Sequence, residues 1–198
     1  MILILIGYKG TGKDTLFKIL NKEIKEYHPW LIFNKDNDKF TYINLNFTRL
    51  AFADSLKDEV KSLYNIECSE ENKDIKNINI NNELVSFRSL CINYGKNTLD
   101  KQKWVKIVCS KINNNTNYII TDLRFKHEIE YLKMFFDKNN IEYKTIRLFN
   151  SDINIPDKNI ISEHELDDYK TNFLFLKKFE DKDKFTQYNN FNFCGKIF

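Results

Sequence analysis

The residues best suited to chemistry stand near the N-terminus, in Gly7-Tyr8-Lys9-Gly10-Thr11-Gly12-Lys13-Asp14-Thr15. The spacing is G-x-x-x-x-G-K, with an aspartate directly after the lysine and a hydroxyl residue one place later. Glycines at these intervals let successive main-chain N–H groups converge on phosphate oxygens at the positive end of a following helix. The terminal lysine adds a point charge for the β and γ phosphates. Gly7, Lys9, Gly10, Thr11, Gly12 and Lys13, with Asp14 and Thr15, are therefore the expected nucleotide-binding set. Two readings stand for the metal side: Asp14 holds Mg²⁺ directly or through water with Thr15 assisting, or Thr15 alone approaches the ion. Asp122, at the end of the apolar run "YIITD", is placed either to hold Mg²⁺ or its waters, or to cap a helix.

These residues need a strand before the loop and a helix after it. Ile2 to Ile6 is a continuous apolar, β-branched run, the pattern of a central parallel strand covered on both faces. From Lys13 to about Tyr27, Leu16, Ile19, Leu20 and Ile24 recur at helical spacing, ending before Pro29. "WLIF" and "YINLNF" read as strands about the polar turn "NKDND". "ADSLKDEVKSLY" reads as a helix with Asp54 or Ser55 as N-cap and Leu56, Val60 and Leu63 on its buried side. Residues 65–82 read as a mobile polar segment, followed by helices at about Leu84–Tyr94 and Lys101–Ile112. "YIITD" is a second buried strand, followed by a helix carrying Ile129, Leu132, Phe135 and Phe136, then the strand "YKTIRLF" and a polar, mobile stretch at 150–168. Strands alternating with helices predict a three-layer α/β fold with a mainly parallel central sheet flanked by helices.

Composition bounds the rest. A chain of 198 residues suits a single domain. Only 5 Gly and 2 Pro are present, so three glycines in one loop are a concentration, and turns elsewhere must rely on Asn and Asp, as in "INNNTN". The net charge of +3 arises from 31 basic and 28 acidic residues, too small an excess to call for nucleic acid or a membrane surface. The 4 cysteines have no zinc-ligand spacing and fit free thiols in a reducing compartment. "MILILI" lacks the basic flank and length of a signal peptide, and no apolar run approaches the roughly 20 residues that span a bilayer. A cytoplasmic protein is expected.

Five segments together, "GYKGTGKDT", "FADSLKDEV", "FRSLCINYG" with "KWVKIV", "YIITDLRFKHEIEYL" and "SEHEL", resemble the deoxynucleoside monophosphate kinases of bacteriophages and large DNA viruses, relatives of the P-loop nucleoside monophosphate kinases. The resemblance spans residues 1 to about 168 and implies a P-loop kinase fold. It implies ATP as phosphoryl donor, Mg²⁺ as cofactor, a deoxynucleoside monophosphate as acceptor, and, for a viral chain, the host cytoplasm. A homodimer is a candidate assembly; no membrane or nucleic-acid partner is implied. Lys13, Arg124 and Arg88 would be catalytic, with Asp14, Thr15 and Asp122 on the metal. Arg88, Gly95 and Trp104 would serve the acceptor. In "DLRFKHE", Asp122, Arg124 and Glu128 match a D-x-R-x-x-x-E pattern: Arg124 would neutralise phosphate, and Glu128 would orient it or bond substrate. Ser162 and Glu163 match a late S/T-E element. The chain departs from its relatives where Gly95 is followed by Lys96 and Asn97, in the region of base and sugar selection, and at Asn150, where relatives often carry arginine.

Phosphoryl transfer between two anions needs in-line positioning and several cations, with little covalent work from the protein. Lys13, Arg88, Arg124 and Mg²⁺ form such a set, and arginine's planar fork suits the acceptor phosphate. Two other functions remain compatible with the sequence: a different small-molecule phosphate kinase, notably phosphomevalonate kinase, and a non-catalytic P-loop module that binds nucleotide without transfer.

Overall fold

In the computed structural model, Ile2–Ile6 forms strand β1 and all five residues are buried, as a run without polar residues requires. The structure describes residues 1–21, 30–34, 46–69, 71–80, 82–150 and 152–177. The chain divides into two compact units, Met1–Leu50 with Ile112–Phe198, and Ala51–Lys111.

The first unit is a six-stranded sheet. Its strands are β1, β2 (Trp30–Asn34), β3 (Thr48–Leu50), β6 (Tyr118–Ile120), β7 (Tyr143–Asn150) and β8 (Phe173–Lys177), in the order β2-β8-β7-β1-β6-β3. All neighbours run parallel except β2, an antiparallel edge strand on β8. Helix α1 (Lys13–Leu20) buries Leu16 against Leu3, Leu5, Phe47, Ile119, Ile146 and Leu148. Helix α5 (Lys126–Lys138) lies on the other face: its Phe136 ring is 5.1 Å from Tyr143, which points oppositely to Ile146 and Leu148 on the same strand. The unit is thus a three-layer α/β sandwich. β1 pairs with β7 on one side and β6 on the other, so the chain winds away from it in both directions and leaves a crevice beyond its C-terminal end. Between β7 and β8 lies the short helix α6 (Ile161–His164).

The second unit holds α2 (Phe52–Tyr64), the hairpin β4 (Lys76–Ile80) with β5 (Glu83–Ser86), α3 (Phe87–Asn97) and α4 (Lys103–Ser110). Its core gathers Val60, Phe87, Leu90 and Cys91, with Leu56, Cys68, Ile78 and Ile80 packed against them.

Several sequence expectations are corrected. α2 begins at Phe52, with Ala51 rather than Asp54 or Ser55 in the N-cap position, and Ser55 is buried. Leu63 is 60% exposed, because the last turn, ahead of Asn65 at φ 50°, projects past the core. Residues 65–82 are no featureless loop: they contain β4, whose Ile78 and Ile80 alternate onto the core. The expected helix at Leu84 starts at Phe87, because Glu83–Ser86 pairs in the hairpin and the Ser86 hydroxyl accepts the Ser89 N–H at 3.2 Å as N-cap. β6 stops at Ile120, two residues before Asp122. Most of the strand expected at "YINLNF", residues 42–45, lies outside the described residues, as does the expected helix beyond 21; Thr48–Leu50 just after it is a strand. Among the described residues no helix is long and apolar enough to cross a membrane.

Candidate nucleotide site at the end of the first strand

β1 delivers the chain into the glycine loop. A Cβ on Gly7 would lie 2.8 Å from the Leu148 carbonyl oxygen and 2.9 Å from Thr11 Oγ1, so the close packing of the loop against β7 requires glycine. Gly10 (φ 84°) and Gly12 (φ 94°) adopt left-handed conformations, and Gly12 is the N-cap of α1. The buried Thr11 closes the turn, its N–H and hydroxyl both donating to the Tyr8 carbonyl at 3.2 and 2.9 Å. The loop is therefore set by backbone geometry before any ligand arrives.

Lys13 folds back over this loop. Its Nζ donates to the carbonyls of Gly7 (2.5 Å) and Tyr8 (2.9 Å). Burial, reinforced by the charge of Arg124, lowers its pKa to about 8, while Glu163, Asp14 and Asp122 act in the opposite sense. Those opposing charges identify the groups gathered around the ammonium.

Glu163 on α6 sits against the loop itself. One carboxylate oxygen accepts the Lys9 N–H at 2.6 Å, and the other accepts from the Arg124 guanidinium. Its side chain is 8% exposed, so an anion already rests on a main-chain N–H of the phosphate loop. The cleft there is bordered by Gly7, Tyr8, Arg124, Arg147, Glu163 and Asp167.

Arg124 is held from behind. Glu128 reaches back from the first turn of α5, and its Oε2 accepts the N–H groups of Arg124 (2.9 Å) and Phe125 (3.0 Å). Burial pushes the Glu128 carboxyl up to about 7. Glu128 is thus bonded to the main chain that carries Arg124.

The segment presenting Glu163 has its own anchors. His164 is bonded through Nδ1 to Asp167 Oδ2 (2.7 Å) and through Nε2 to the Pro156 carbonyl oxygen (3.1 Å), and Asp167 raises its pKa. The Tyr8 hydroxyl donates to the same Asp167 oxygen at 3.2 Å. Arg147, buried within β7, donates to the carbonyls of Leu166 (2.5 Å) and Tyr169 (2.8 Å).

Asp14 and Asp122 are hard oxygen donors of the kind Mg²⁺ takes beside nucleotide phosphates. Asp14 is exposed and receives Arg49 Nε at 2.9 Å; Thr15 follows it in the first turn of α1. Asp122 is partly buried and acts electrostatically on Lys13 and Glu128. Both carboxylates act electrostatically on the Lys13 ammonium, and their oxygens are of the type the ion takes. Among the described residues no group of three or more His, Cys, Asp or Glu side chains is arranged around one point.

The residues expected on the acceptor side lie in the second unit. Arg88 stands in the first turn of α3, with Nε and NH2 on the two Asp74 oxygens, the latter at 3.1 Å. Gly95 has ordinary space around it: a Cβ would approach only Leu56 Cδ2, at 3.5 Å. Trp104 on α4 carries the Lys103 ammonium 4.9 Å from its ring centre and stands 6.4 Å from Tyr94. Glu59 joins three helices here, accepting from Lys103 (2.5 Å) and Tyr94, and these bonds hold its carboxyl below the ordinary range.

Sequence reasoning singled out the loop, Lys13, Arg124 and Glu163, which the fold gathers in one place. It missed Arg49, Asp74, Tyr8, Asp167 and Arg147. Only Arg147 left a trace, as a charge inside an apolar strand run, which is tolerated in a core only with partners.

No protein-family model matches the sequence, and no curated protein matches it. Among solved structures the chain is similar to a "putative kinase" from Chloroflexus aurantiacus J-10-fl, at 12% identity and a TM-score of 0.38. The alignment covers 76% of this chain and 60% of that one, so the chain spans about three-fifths of that structure's length.

Proposed function

We propose that the protein transfers the γ-phosphoryl group of ATP to a deoxynucleoside monophosphate, giving ADP and the diphosphate. The observation that carries the reading is the convergence of a glycine loop, a buried lysine and an arginine at the C-terminal end of β1, with the Glu163 carboxylate accepting the Lys9 N–H of the loop. Such a place holds anions by fixed main-chain dipoles and charge, with Glu163 exchanged for the phosphate that enters.

In this reading the loop N–H groups and the N-terminus of α1 bind the donor's phosphates. Lys13 keeps its proton as phosphate charge enters, since an added anion offsets the burial that lowers its pKa. Asp14, with Thr15, and Asp122 would hold Mg²⁺, which would supply positive charge against the phosphates. Arg124, aimed by Glu128, offsets charge on the transferring group. Glu163 shields Arg124 and the Lys9 N–H until phosphate is present. Arg88 takes the acceptor phosphate, with Gly95 and Trp104 bordering the acceptor.

Coupled ADP-release assays over the four common deoxynucleoside monophosphates, with mevalonate 5-phosphate alongside, test this. Acceptor-dependent release with at least one deoxynucleotide is expected, and Lys13→Ala should lower kcat about 10²- to 10³-fold. Turnover with mevalonate 5-phosphate alone, or nucleotide binding with no acceptor-dependent release, would replace the proposal by one of the two other functions.

A further inference from the structure

Arg88 stands at the start of an eleven-residue helix whose first turn carries no acidic residue. The helix N-terminus and the guanidinium therefore place positive charge together, and an anion is favoured beside them. An anion that the fold supplies there is Asp74, fourteen residues upstream, which takes the Nε and NH2 edge of the fork with both oxygens.

Main-chain bonds bring it there. The Arg88 N–H donates to the Lys73 carbonyl at 2.9 Å, and the preceding turn is closed by the Ile75 N–H on the Asn72 carbonyl at 3.0 Å. Asp74 is thus tethered beside the fork even when its carboxylate lets go. The Arg88 and Asp74 side chains are 41% and 60% exposed, so the ion pair faces water and another anion can reach it. An exposed carboxylate pair is weak. A phosphate monoester brings about 1.5 to 2 negative charges near neutral pH and three acceptor oxygens, against one charge and two oxygens for Asp74.

The geometry points to Asp74 as a specificity-determining counter-anion of Arg88: it occupies the fork edge when no acceptor is bound and yields it to the acceptor's phosphate. The inference rests on the reading of Arg88 as the acceptor-phosphate residue and deepens it. Asp74 sets a threshold, so that dianionic phosphate esters enter and singly charged carboxylates do not.

The test uses the full chain, with inorganic phosphate and deoxythymidine 5′-monophosphate as probes. Reaction of Arg88 with phenylglyoxal is mapped by mass spectrometry, and probe affinity is measured by titration calorimetry. Each probe should protect Arg88 in the native protein. Asp74→Asn should speed Arg88 modification and tighten both probes about 2- to 5-fold, acetate should begin to protect, and Asp74→Glu should behave as the native protein does. Unchanged or weaker probe binding in Asp74→Asn would overturn the inference, because Asp74 would then aim Arg88 or merely decorate the surface. The two proposals fail separately. Phosphate exchange at Arg88 without deoxynucleotide turnover sinks the kinase reading alone, whereas turnover with Arg88 unprotected sinks this one.

Discussion

Lys13 is charged where its surroundings oppose charge. Burial lowers its pKa from 10.5 to about 8, so between those pH values the unfolded chain binds more protons than the folded one, and folding stability rises with pH across that window. Below pH 8 both states are protonated and the folded state bears the full cost of a buried ammonium. The gap corresponds to about 3 kcal/mol, partly offset by the bonds to Gly7 and Tyr8. Lys13→Met, which keeps the stem and removes the charge, should therefore be more stable than the native protein by roughly 2 kcal/mol at pH 7 while losing activity. Urea melts from pH 7 to 10.5 should show that advantage falling by about 3 kcal/mol, so that the native protein overtakes the variant; an offset constant with pH would refute the assignment. The lysine's place over the loop was legible from sequence because the loop is a contiguous nine-residue pattern. Its neighbours were not: Glu163 meets the loop across 154 residues and Arg49 meets Asp14 across 35, and no local spacing encodes such encounters.

At the scale of elements, what periodicity states strongly the fold reproduces, and what depends on a choice of boundary it moves. β1, β7 and α5 follow their apolar patterns because burial on a fixed period leaves one arrangement. The hairpin did carry a signal, the alternation in "KNINI", but the asparagines around it read as loop, and Val85 with Leu84 read as the start of a helix that pairing claims for β5. Ser86 held the better clue, being a hydroxyl residue immediately before the true first turn. α5 shows how an element positions a functional side chain: its first turn is satisfied by Glu128, whose carboxylate fixes the main chain on which Arg124 stands. Glu128→Ala should destabilise the protein by about 1–2 kcal/mol and depress kcat, because two N–H groups lose their acceptor and Arg124 its aim. Glu128→Gln keeps one acceptor oxygen and loses the buried charge. Raised to about 7, the carboxyl weakens folding as pH climbs from its unfolded value of 4.5, so the glutamine form should gain on the native protein across that interval. Thermal melts at pH 5 and pH 8 compare the two, and equal differences at both would show that the carboxyl does not titrate as its burial demands.

For the whole molecule, the chain's path accounts for the two compact units. β3 and β6 are adjacent and parallel, so a crossover must join them, and here Ala51–Lys111 has grown into a unit with its own apolar core. No proline- or glycine-rich linker marks either end, which left composition silent about the division. Lys13, the residue assigned to the donor phosphates, belongs to the sheet unit with Arg124 and Glu163, while Arg88, Gly95 and Trp104, assigned to the acceptor, belong to the crossover unit. If each unit carries its own phosphate site, ligand stabilisation should divide the same way. A ligand that binds only the folded state adds RT ln(1 + [L]/Kd), about 2.7 kcal/mol at one hundred times Kd. A non-hydrolysable ATP analogue should therefore raise the melting temperature of Arg88→Ala as much as that of the native protein, whereas a deoxynucleoside monophosphate should no longer stabilise that variant. Lys13→Ala should show the reverse. Loss of the donor-analogue shift in Arg88→Ala would mean that the acceptor arginine is part of the donor site, and the assignment of one phosphate to each unit would fall.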